Sequence, residues 1–252
     1  MIQLDNISWQ YNKKDEFPTL SHISFNLPQG SFCWLLGPSG AGKSSLLKLL
    51  HLESPPTKGT MVILDHEITP YTTRKALLPL RQQIGIVYQN LRLIPNLSVA
   101  ENIALPLRLQ RCPEKMVRRE VGAILRWFGL REQARLPTAR LSRGEQQRTA
   151  IARAVVHRPK IILADEPTNS LDEYQAQRIL EMLVKLNQMG STVIIATHNT
   201  LLTQEREYPI LSLEHGQLRT YSNHNDSDYY NDHYHHTGEQ IPQQITDRTA
   251  IE

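Results

Sequence analysis

The sequence has few cysteines and no long hydrophobic run, and each absence excludes a class of protein. Its two cysteines, Cys33 and Cys112, are far apart and lack metal-ligand spacing, so we expect reduced thiols rather than a disulfide framework or a zinc site. No apolar run approaches the roughly 18 residues that a membrane span requires. The N-terminus lacks the basic start and apolar block of a signal peptide. We therefore expect a cytosolic protein that contacts a membrane only through a partner.

The net charge of +3 conceals an uneven distribution along the chain. Residues 222–252 carry six acidic side chains and one arginine, a net charge of −5. The other 221 residues carry 27 basic and 19 acidic side chains, a net charge of +8. A mildly basic body suits phosphate ligands or a negative membrane face, and it is too weak a signal to indicate nucleic-acid binding. The polar, histidine-rich stretch 222–252 has almost no aliphatic periodicity, so we expect a disordered tail.

Apolar periodicity divides the rest of the chain into strand-like and helix-like regions. Alternating segments and the apolar run 31–36 predict short strands over residues 1–36, and residues 59–90 return to strand character. Residues 99–158 are helical in pattern, and two later apolar runs, 160–165 and 193–198, again predict buried strands around a helix. The pattern indicates an α/β core interrupted by an all-helical insert. The prolines that we expect to punctuate that insert are Pro106, Pro113, Pro137 and Pro159.

A glycine-rich loop, "GPSGAGKSS", follows the apolar run 31–36 and precedes an apolar-faced helix. Its glycines allow a tight turn in which successive N–H groups converge on phosphates. Lys43 would neutralise the β- and γ-phosphates, and the Ser44 hydroxyl would ligate Mg²⁺. The predicted nucleotide-binding loop consists of Gly37, Pro38, Ser39, Gly40, Ala41, Gly42, Lys43, Ser44 and Ser45.

Polar residues end three of the predicted strands. Asp165 and Glu166 are adjacent, and because side chains alternate along a strand, Asp165 can hold Mg²⁺ while Glu166 faces an attacking water as general base. His198 ends another buried strand, where it could contact the γ-phosphate and orient the water. Gln89 ends a third strand, where its amide could ligate Mg²⁺ or the water and respond to the γ-phosphate. The predicted metal ligands are therefore Ser44, Gln89 and Asp165, and the predicted catalytic residues are Glu166, His198, Gln89 and Lys43.

The stretch "LSRGEQQ", residues 141–147, has no evident chemistry of its own. Ser142 and Glu145 match a capping box, so the stretch predicts the exposed N-terminus of a helix, which can bind an anion through free N–H groups and the helix dipole.

These motifs occur together in the order and spacing of the ABC-type ATPases, and over residues 1 to about 220 the chain resembles their nucleotide-binding subunits. The resemblance implies an α/β fold: a RecA-like P-loop ATPase core with an inserted α-helical signature subdomain and a small antiparallel β portion. It places an ABC ATPase domain at residues 1–221, with the core at 1–90 and 159–221 and the helical subdomain at 91–158.

The resemblance also implies ATP and Mg²⁺ as ligands and an ATP-dependent, head-to-tail homodimer. Ser142 and Gly144 of one subunit would bind the γ-phosphate held by the phosphate loop of the other, and Asp172 would couple the two sites. Tyr11 matches the aromatic residue that stacks on adenine, with Trp9 as its rival.

Three positions depart from the family pattern. Arg143 replaces the usual first glycine of the signature, Ser45 replaces a threonine, and Asn169-Ser170 replaces Gly-Asn. Because the Arg143 side chain can project from a helix start without blocking the N–H groups, we expect a functional signature with altered affinity.

Within the family, segments such as "SVAENIALPL" and "ADEPTNSLD" resemble most the cell-division ATP-binding proteins of the FtsE type. These pair with a membrane protein of the FtsX type at the inner membrane and control cell-wall hydrolases. The runner-up is the ATPase of a lipoprotein-release or macrolide-export complex, which more often has arginine where this chain has Gln146. A solute importer and an ATPase acting on DNA or ribosomes rank lower, and we expect no nucleic-acid binding. The expected docking surface for the membrane partner is apolar and comprises Leu91, Leu93, Ile94 and Leu97.

Overall fold

The computed structural model describes residues 1–10, 17–169, 171–204 and 208–222. The strands are β1 (Ile2–Trp9), β2 (Leu20–Leu27), β3 (Phe32–Leu36), β4 (Lys58–Ile63), β5 (His66–Ile68), β6 (Ile84–Val87), β7 (Ile161–Asp165), β8 (Thr192–Thr197), β9 (Ile210–Glu214) and β10 (Gln217–Ser222). The helices are α1 (Lys43–Leu50), α2 (Arg74–Arg81), α3 (Val99–Leu109), α4 (Glu114–Trp127), α5 (Arg143–Val155), α6 (Glu173–Gln188) and α7 (Leu201–Gln204), with a 3-10 turn at Thr138–Arg140.

Two sheets carry the fold. The larger has the strand order β10-β9-β3-β8-β7-β6, in which β9 to β6 run parallel and β10 pairs antiparallel with β9. The smaller, β2-β1-β4-β5, is antiparallel throughout. Because parallel strands end at the same edge, the loops after β3, β6, β7 and β8 meet there. The predicted α/β core with a small antiparallel portion is confirmed.

Strand β3 lies inside the larger sheet, and its alternating side chains enter two different cores. Phe32, Trp34 and Leu36 pack with the apolar faces of α3, α4, α5 and α6. Cys33 and Leu35 pack on the opposite face with α1 and the smaller sheet. Such two-sided burial explains why this strand reads as a continuous apolar run. Burial also raises the pKa of the Cys33 thiol to about 12, and both cysteines are free, as predicted.

The chain between β6 and β7 contains the α-helices α3, α4 and α5. Capping boxes begin α3 at Ser98 with Glu101 and α5 at Ser142 with Glu145, so the capping prediction for residues 142–145 is confirmed. Helix α5 also packs against β6, and the helical segment shares one core with β3. The subdomain boundaries at residues 90 and 158 stay a prediction.

Three local expectations were wrong. The stretch read as strand over residues 59–90 also contains helix α2, which buries only Leu77 and Leu80 and includes Pro79. Pro106 lies inside α3 instead of ending a helix, whereas Pro113 and Pro137 precede helical turns and Pro159 follows α5. Leu91 is buried in the core with Val87 and Val99, so it does not contribute to a docking surface.

Strand β10 extends to Ser222, which is the first residue of the expected tail. The rest of the tail prediction, for residues 223–252, lies outside the described residues. Within the described ranges, no helix is both long and apolar enough to cross a bilayer.

Candidate nucleotide-binding site

A cavity of about 370 Å³ opens at the edge where the parallel strands end. It brings together loop residues that follow β3 with the residues that follow β6, β7 and β8, as the strand order requires. Its lining is Thr19, Ser39, Gly40, Gly42, Lys43, Ser44, Ser45, Gln89, Asp165, Glu166 and His198. Gly37, Pro38 and Ala41 lie in the same loop and shape its backbone. Thr19 is a lining residue that the sequence motifs missed.

The loop between β3 and α1 needs glycine at two positions. A Cβ at Gly37 would lie 2.1 Å from the Leu213 carbonyl oxygen, because the loop passes against β9. Gly42 is the N-cap of α1 and has a left-handed backbone with a φ of +105°. The helix therefore begins at Lys43 with its N-terminus directed at the cavity, where its dipole favours an anion.

Lys43 is one of the residues that line the cavity. Its Nζ donates hydrogen bonds to the carbonyl oxygens of Gly37 at 2.6 Å and Pro38 at 3.1 Å, and it lies 3.9 Å from Glu166 Oε1. Burial lowers the pKa of Lys43, while the charges of Glu166 and Asp165 oppose that shift. The cation is held in place by oxygen acceptors that polyphosphate oxygens can replace.

Asp165 is the last residue of β7 and faces the start of α1. It is hydrogen-bonded to the Ser44 hydroxyl, and burial raises its pKa while that hydrogen bond and Lys43 oppose the shift. Gln89 is exposed at the cavity, two residues after β6 ends. Serine, amide and carboxylate oxygens are hard ligands of the kind Mg²⁺ takes, usually together with phosphates and waters.

Glu166 is buried just beyond β7 in a left-handed conformation with a φ of +47°, unusual for a residue with a side chain. Its backbone N–H donates to the Ala196 carbonyl oxygen at 2.9 Å. Its Oε1 lies 2.7 Å from His198 Nδ1 and accepts from the His198 backbone N–H at 3.0 Å. Its Oε2 accepts from the Thr197 hydroxyl at 3.0 Å, a contact that the sequence motifs missed.

The residues predicted to act on a partner's nucleotide lie elsewhere. Ser142 and Asp172 are exposed at the starts of α5 and α6, and neither they nor Gly144 lines the cavity. The two helix starts are neighbours, because Arg148 Nη1 on α5 donates to Gln175 Oε1 on α6 at 3.1 Å. The structure thus gathers these three residues into one surface, separate from the phosphate loop.

Arg143 is the first residue of α5 and is exposed. Its side chain lines a second hollow, about 350 Å³, with Gln146, Thr138 and the loop 90–95 that follows Gln89. Gly144 lies beside Gln175 Oε1, where an added Cβ would be 3.3 Å away. The effect of Arg143 on the signature stays a prediction.

The adenine-stacking prediction for Tyr11 lies outside the described residues, as does Ser170. Its rival Trp9 is buried, and its indole N–H donates to Ser54 Oγ at 2.7 Å. Trp9 is therefore not available to stack on a base, and that alternative was wrong.

Comparisons with known proteins agree with this geometry. The ABC transporter family model matches residues 20–169. The cell division ATP-binding protein FtsE of Haemophilus influenzae is 42% identical over 220 residues, covering 87% of this chain and 100% of that protein. The methionine import ATP-binding protein MetN of Histophilus somni is 34% identical, with 86% of this chain and 64% of that protein covered.

A solved structure has the same fold. The ATP-binding cassette MJ0796, a dimer in a post-hydrolysis state bound to ADP and phosphate, superposes with a TM-score of 0.81 at 33% identity, covering 90% of this chain and 100% of that chain. The prediction of an ABC-type ATPase resembling FtsE is confirmed. The chain belongs to the ABC transporter ATP-binding family and is an ATP-hydrolysing subunit of that type.

Proposed function

We propose that two copies of the chain close head to tail around two ATP molecules and that hydrolysis reopens the dimer. The observation that supports this most directly is the meeting of Lys43, Glu166 and His198 in one cavity, while Ser142 and Gly144 lie outside it. An exposed, capped helix start that lies outside the cavity suits the γ-phosphate of a neighbouring copy.

In the proposed reaction, Glu166 takes a proton from a water whose oxygen attacks the γ-phosphorus, and the bridging oxygen leaves with ADP. His198 donates a hydrogen bond to a γ-phosphate oxygen, and Lys43 neutralises charge on the β- and γ-phosphates. Tyr11 stacks on the adenine, and Asp172 couples the two sites. Mg²⁺ held by Ser44, Gln89 and Asp165 would neutralise phosphate charge when bound.

The proposed base is tested by Glu166→Gln. The amide cannot take the proton, so we expect turnover to fall at least about a hundredfold while ATP binding persists. Gel filtration with ATP should then show a stable dimer that the wild type forms only transiently. Unchanged turnover would contradict the assignment of the base.

For the biological role, we propose an inner-membrane complex of the FtsE–FtsX type that acts in cell division, with the chain at the cytoplasmic face of that membrane. Support comes from the match to FtsE over that protein's whole length, whereas the match to MetN leaves about a third of MetN uncovered. An ATPase of a lipoprotein-release or macrolide-export complex is the second candidate, supported by the shared "ENIALPL" segment.

Depletion of the protein in its own cells separates these two roles. Long, undivided cells with correctly sorted lipoproteins are expected for the division role. Lipoproteins stranded in the inner membrane would contradict it and favour the second candidate, and neither result would affect the assignment as an ATPase.

We further propose that the membrane partner docks in a groove of about 500 Å³ between α2 with β6 and α3 with α5. Leu78 and Leu109 stand exposed at its edges, and its charged lining residues, Arg81, Arg92 and Arg153, are all basic. The groove adjoins Leu93 and Ile94 of the surface expected from the sequence. It suits a short partner helix with an apolar face and an acidic side chain.

Leu109→Glu tests the docking groove. The side chain is 79% exposed, so the subunit should fold normally, but a carboxylate at the rim should weaken copurification with a partner of the FtsX type. Met189→Glu, at a 77% exposed position beyond α6, is the matched control and should leave copurification unchanged. Equal recovery of the partner with both variants would place the docking surface elsewhere.

A further inference from the structure

The carboxylate of Glu166 is hydrogen-bonded to Thr197, a residue that belongs to none of the nucleotide-binding motifs in this sequence. Thr197 is the last residue of β8, is 1% exposed and donates its hydroxyl to Glu166 Oε2 at 3.0 Å. The contact joins the ends of two adjacent strands, because β7 and β8 pair in parallel register at Asp165 and Ala196.

The direction of this hydrogen bond is fixed by a second one. The backbone N–H of Asn199 donates to Thr197 Oγ1 at 3.1 Å, which occupies a lone pair of the hydroxyl. An ionised carboxylate can only accept, so the single hydroxyl proton points to Glu166 Oε2. Both partners are buried, which makes the bond stronger than an equivalent one in water.

The other oxygen, Oε1, accepts from the His198 backbone N–H at 3.0 Å, and its remaining contacts involve side chains that the proposed reaction also uses. Oε1 contacts the ring of His198, whose side chain is 58% exposed, and lies 3.9 Å from Lys43 Nζ. Both side chains are proposed to engage the γ-phosphate. Thr197 is not itself among the residues that line the cavity, so its bond to Oε2 can persist when the phosphates bind.

We propose that Thr197 is a positioning residue for ATP hydrolysis: it fixes Oε2 of Glu166 and thereby presents Oε1 to the attacking water. This inference rests on the proposed role of Glu166 as the base. The left-handed backbone of Glu166 and its N–H bond to Ala196 set where the side chain starts. Thr197 on Oε2, together with the His198 backbone N–H on Oε1, sets the orientation of the carboxylate plane. A general base depends on such alignment, since a small misplacement costs about a hundredfold in rate.

Thr197→Val tests the proposal in the purified full-length chain with Mg²⁺ and ATP. Valine keeps the shape of the side chain and removes the hydroxyl, so we expect kcat to fall about tenfold to a hundredfold with KM for ATP within about twofold. Thr197→Ser keeps the hydroxyl and should restore most of kcat. In a Glu166→Gln background, Thr197→Val should change residual turnover by less than about twofold, because both substitutions act on the same carboxylate.

Thr192→Val is the matched control, since it makes the same change at the other end of β8. The Thr192 hydroxyl accepts from the Gly30 N–H at 2.9 Å, far from the cavity, so this variant should lower the melting temperature and leave kcat unchanged. Wild-type turnover in Thr197→Val, with Glu166→Gln inactive, would overturn the inference and leave the proposed base intact. A raised KM without rescue by serine would also overturn it, as a packing effect. Full activity of Glu166→Gln would contradict the assignment of Glu166 as the base, and the inference about Thr197 would fail with it.

Discussion

His157 is a histidine that the fold keeps neutral. It follows the end of α5 at the wall of the docking groove, and its buried Nδ1 has no hydrogen-bond partner among the described residues. Burial lowers its pKa from 6.5 to about 4. The unfolded chain therefore binds a proton at this residue in a pH range where the folded chain does not.

This difference makes stability depend on pH in one direction. As pH falls from 6.5 towards about 4, protonation of His157 favours the unfolded chain, so the free energy of unfolding falls. Between about pH 7 and about pH 5, we expect His157→Gln to reduce that loss by at most about 2 kcal/mol. Urea denaturation at about pH 7 and about pH 5 measures it, with His66→Gln at an exposed histidine as the control. An identical pH dependence in wild type and His157→Gln would contradict the prediction.

At the scale of residues, the sequence predicts site members that belong to a motif and misses those that do not. Lys43 and the Asp165-Glu166 pair are recognisable because a specific chemistry needs those side chains after a strand. Thr197 reads as an ordinary β-branched residue of β8, and only the register between β7 and β8 reveals its contact with Glu166. Leu91 illustrates the opposite error, because an apolar side chain beside a functional loop can be buried in the core.

Helix α5 and strand β6 approach each other closely at Gly85. A Cβ at this position would lie 2.2 Å from the Ala154 carbonyl oxygen and 3.0 Å from Pro159 Cγ. The obstructing oxygen belongs to the backbone and cannot rotate away. Because Gly85 has no side chain, α5 can pack closely on β6.

Gly85→Ala should therefore destabilise the protein by about 1–3 kcal/mol, because the added methyl forces the helix and the strand apart. Gly122→Ala in α4 is the control: a Cβ there has nothing within 4 Å, and alanine should stabilise the helix by up to about 1 kcal/mol. Thermal denaturation of both variants measures the two effects. A Gly85→Ala protein as stable as Gly122→Ala would show that α5 can shift freely on the sheet.

At the scale of elements, apolar periodicity predicts the buried strands and the long helices because each buries an extended face. Apolar periodicity does not predict helix α2, because this helix is eight residues long, contains Pro79 and buries only two leucines. The prediction that Pro106 ends a helix was wrong for a related reason. Pro106 lies inside α3, where the packing of Ile103 and Leu107 in the core outweighs the loss of a backbone N–H donor.

At the scale of the whole molecule, our proposal requires a site that two copies share. The cavity holds Lys43 and the carboxylates, while Ser142 and Gly144 face outward beside the start of α6. The motifs predict that these parts act together, and our proposal is that a second copy brings them together. The related cassette MJ0796 is a dimer in its post-hydrolysis state, and our proposal likewise requires two copies.

Mixing two inactive variants tests this shared site. Lys43→Ala removes the phosphate-binding cation, and Gly144→Glu places a carboxylate where the partner's γ-phosphate would bind, so neither variant alone should hydrolyse ATP. A head-to-tail heterodimer of the two regains one intact site, formed by the phosphate loop of the Gly144→Glu copy and the signature helix of the Lys43→Ala copy. Random pairing predicts recovery of about a quarter of wild-type turnover.

The control is the double variant Lys43→Ala/Gly144→Glu mixed with either single variant, because no pairing then assembles an intact site. Recovery in the first mixture and none in the controls requires that each nucleotide is completed by the opposite copy. If each copy instead used its own Ser142 and Gly144, every copy in the first mixture would carry a defect, and turnover would stay at the level of the single variants. The phosphate-release rate of the mixtures thus decides whether the exposed start of α5 serves its own cavity or that of its partner.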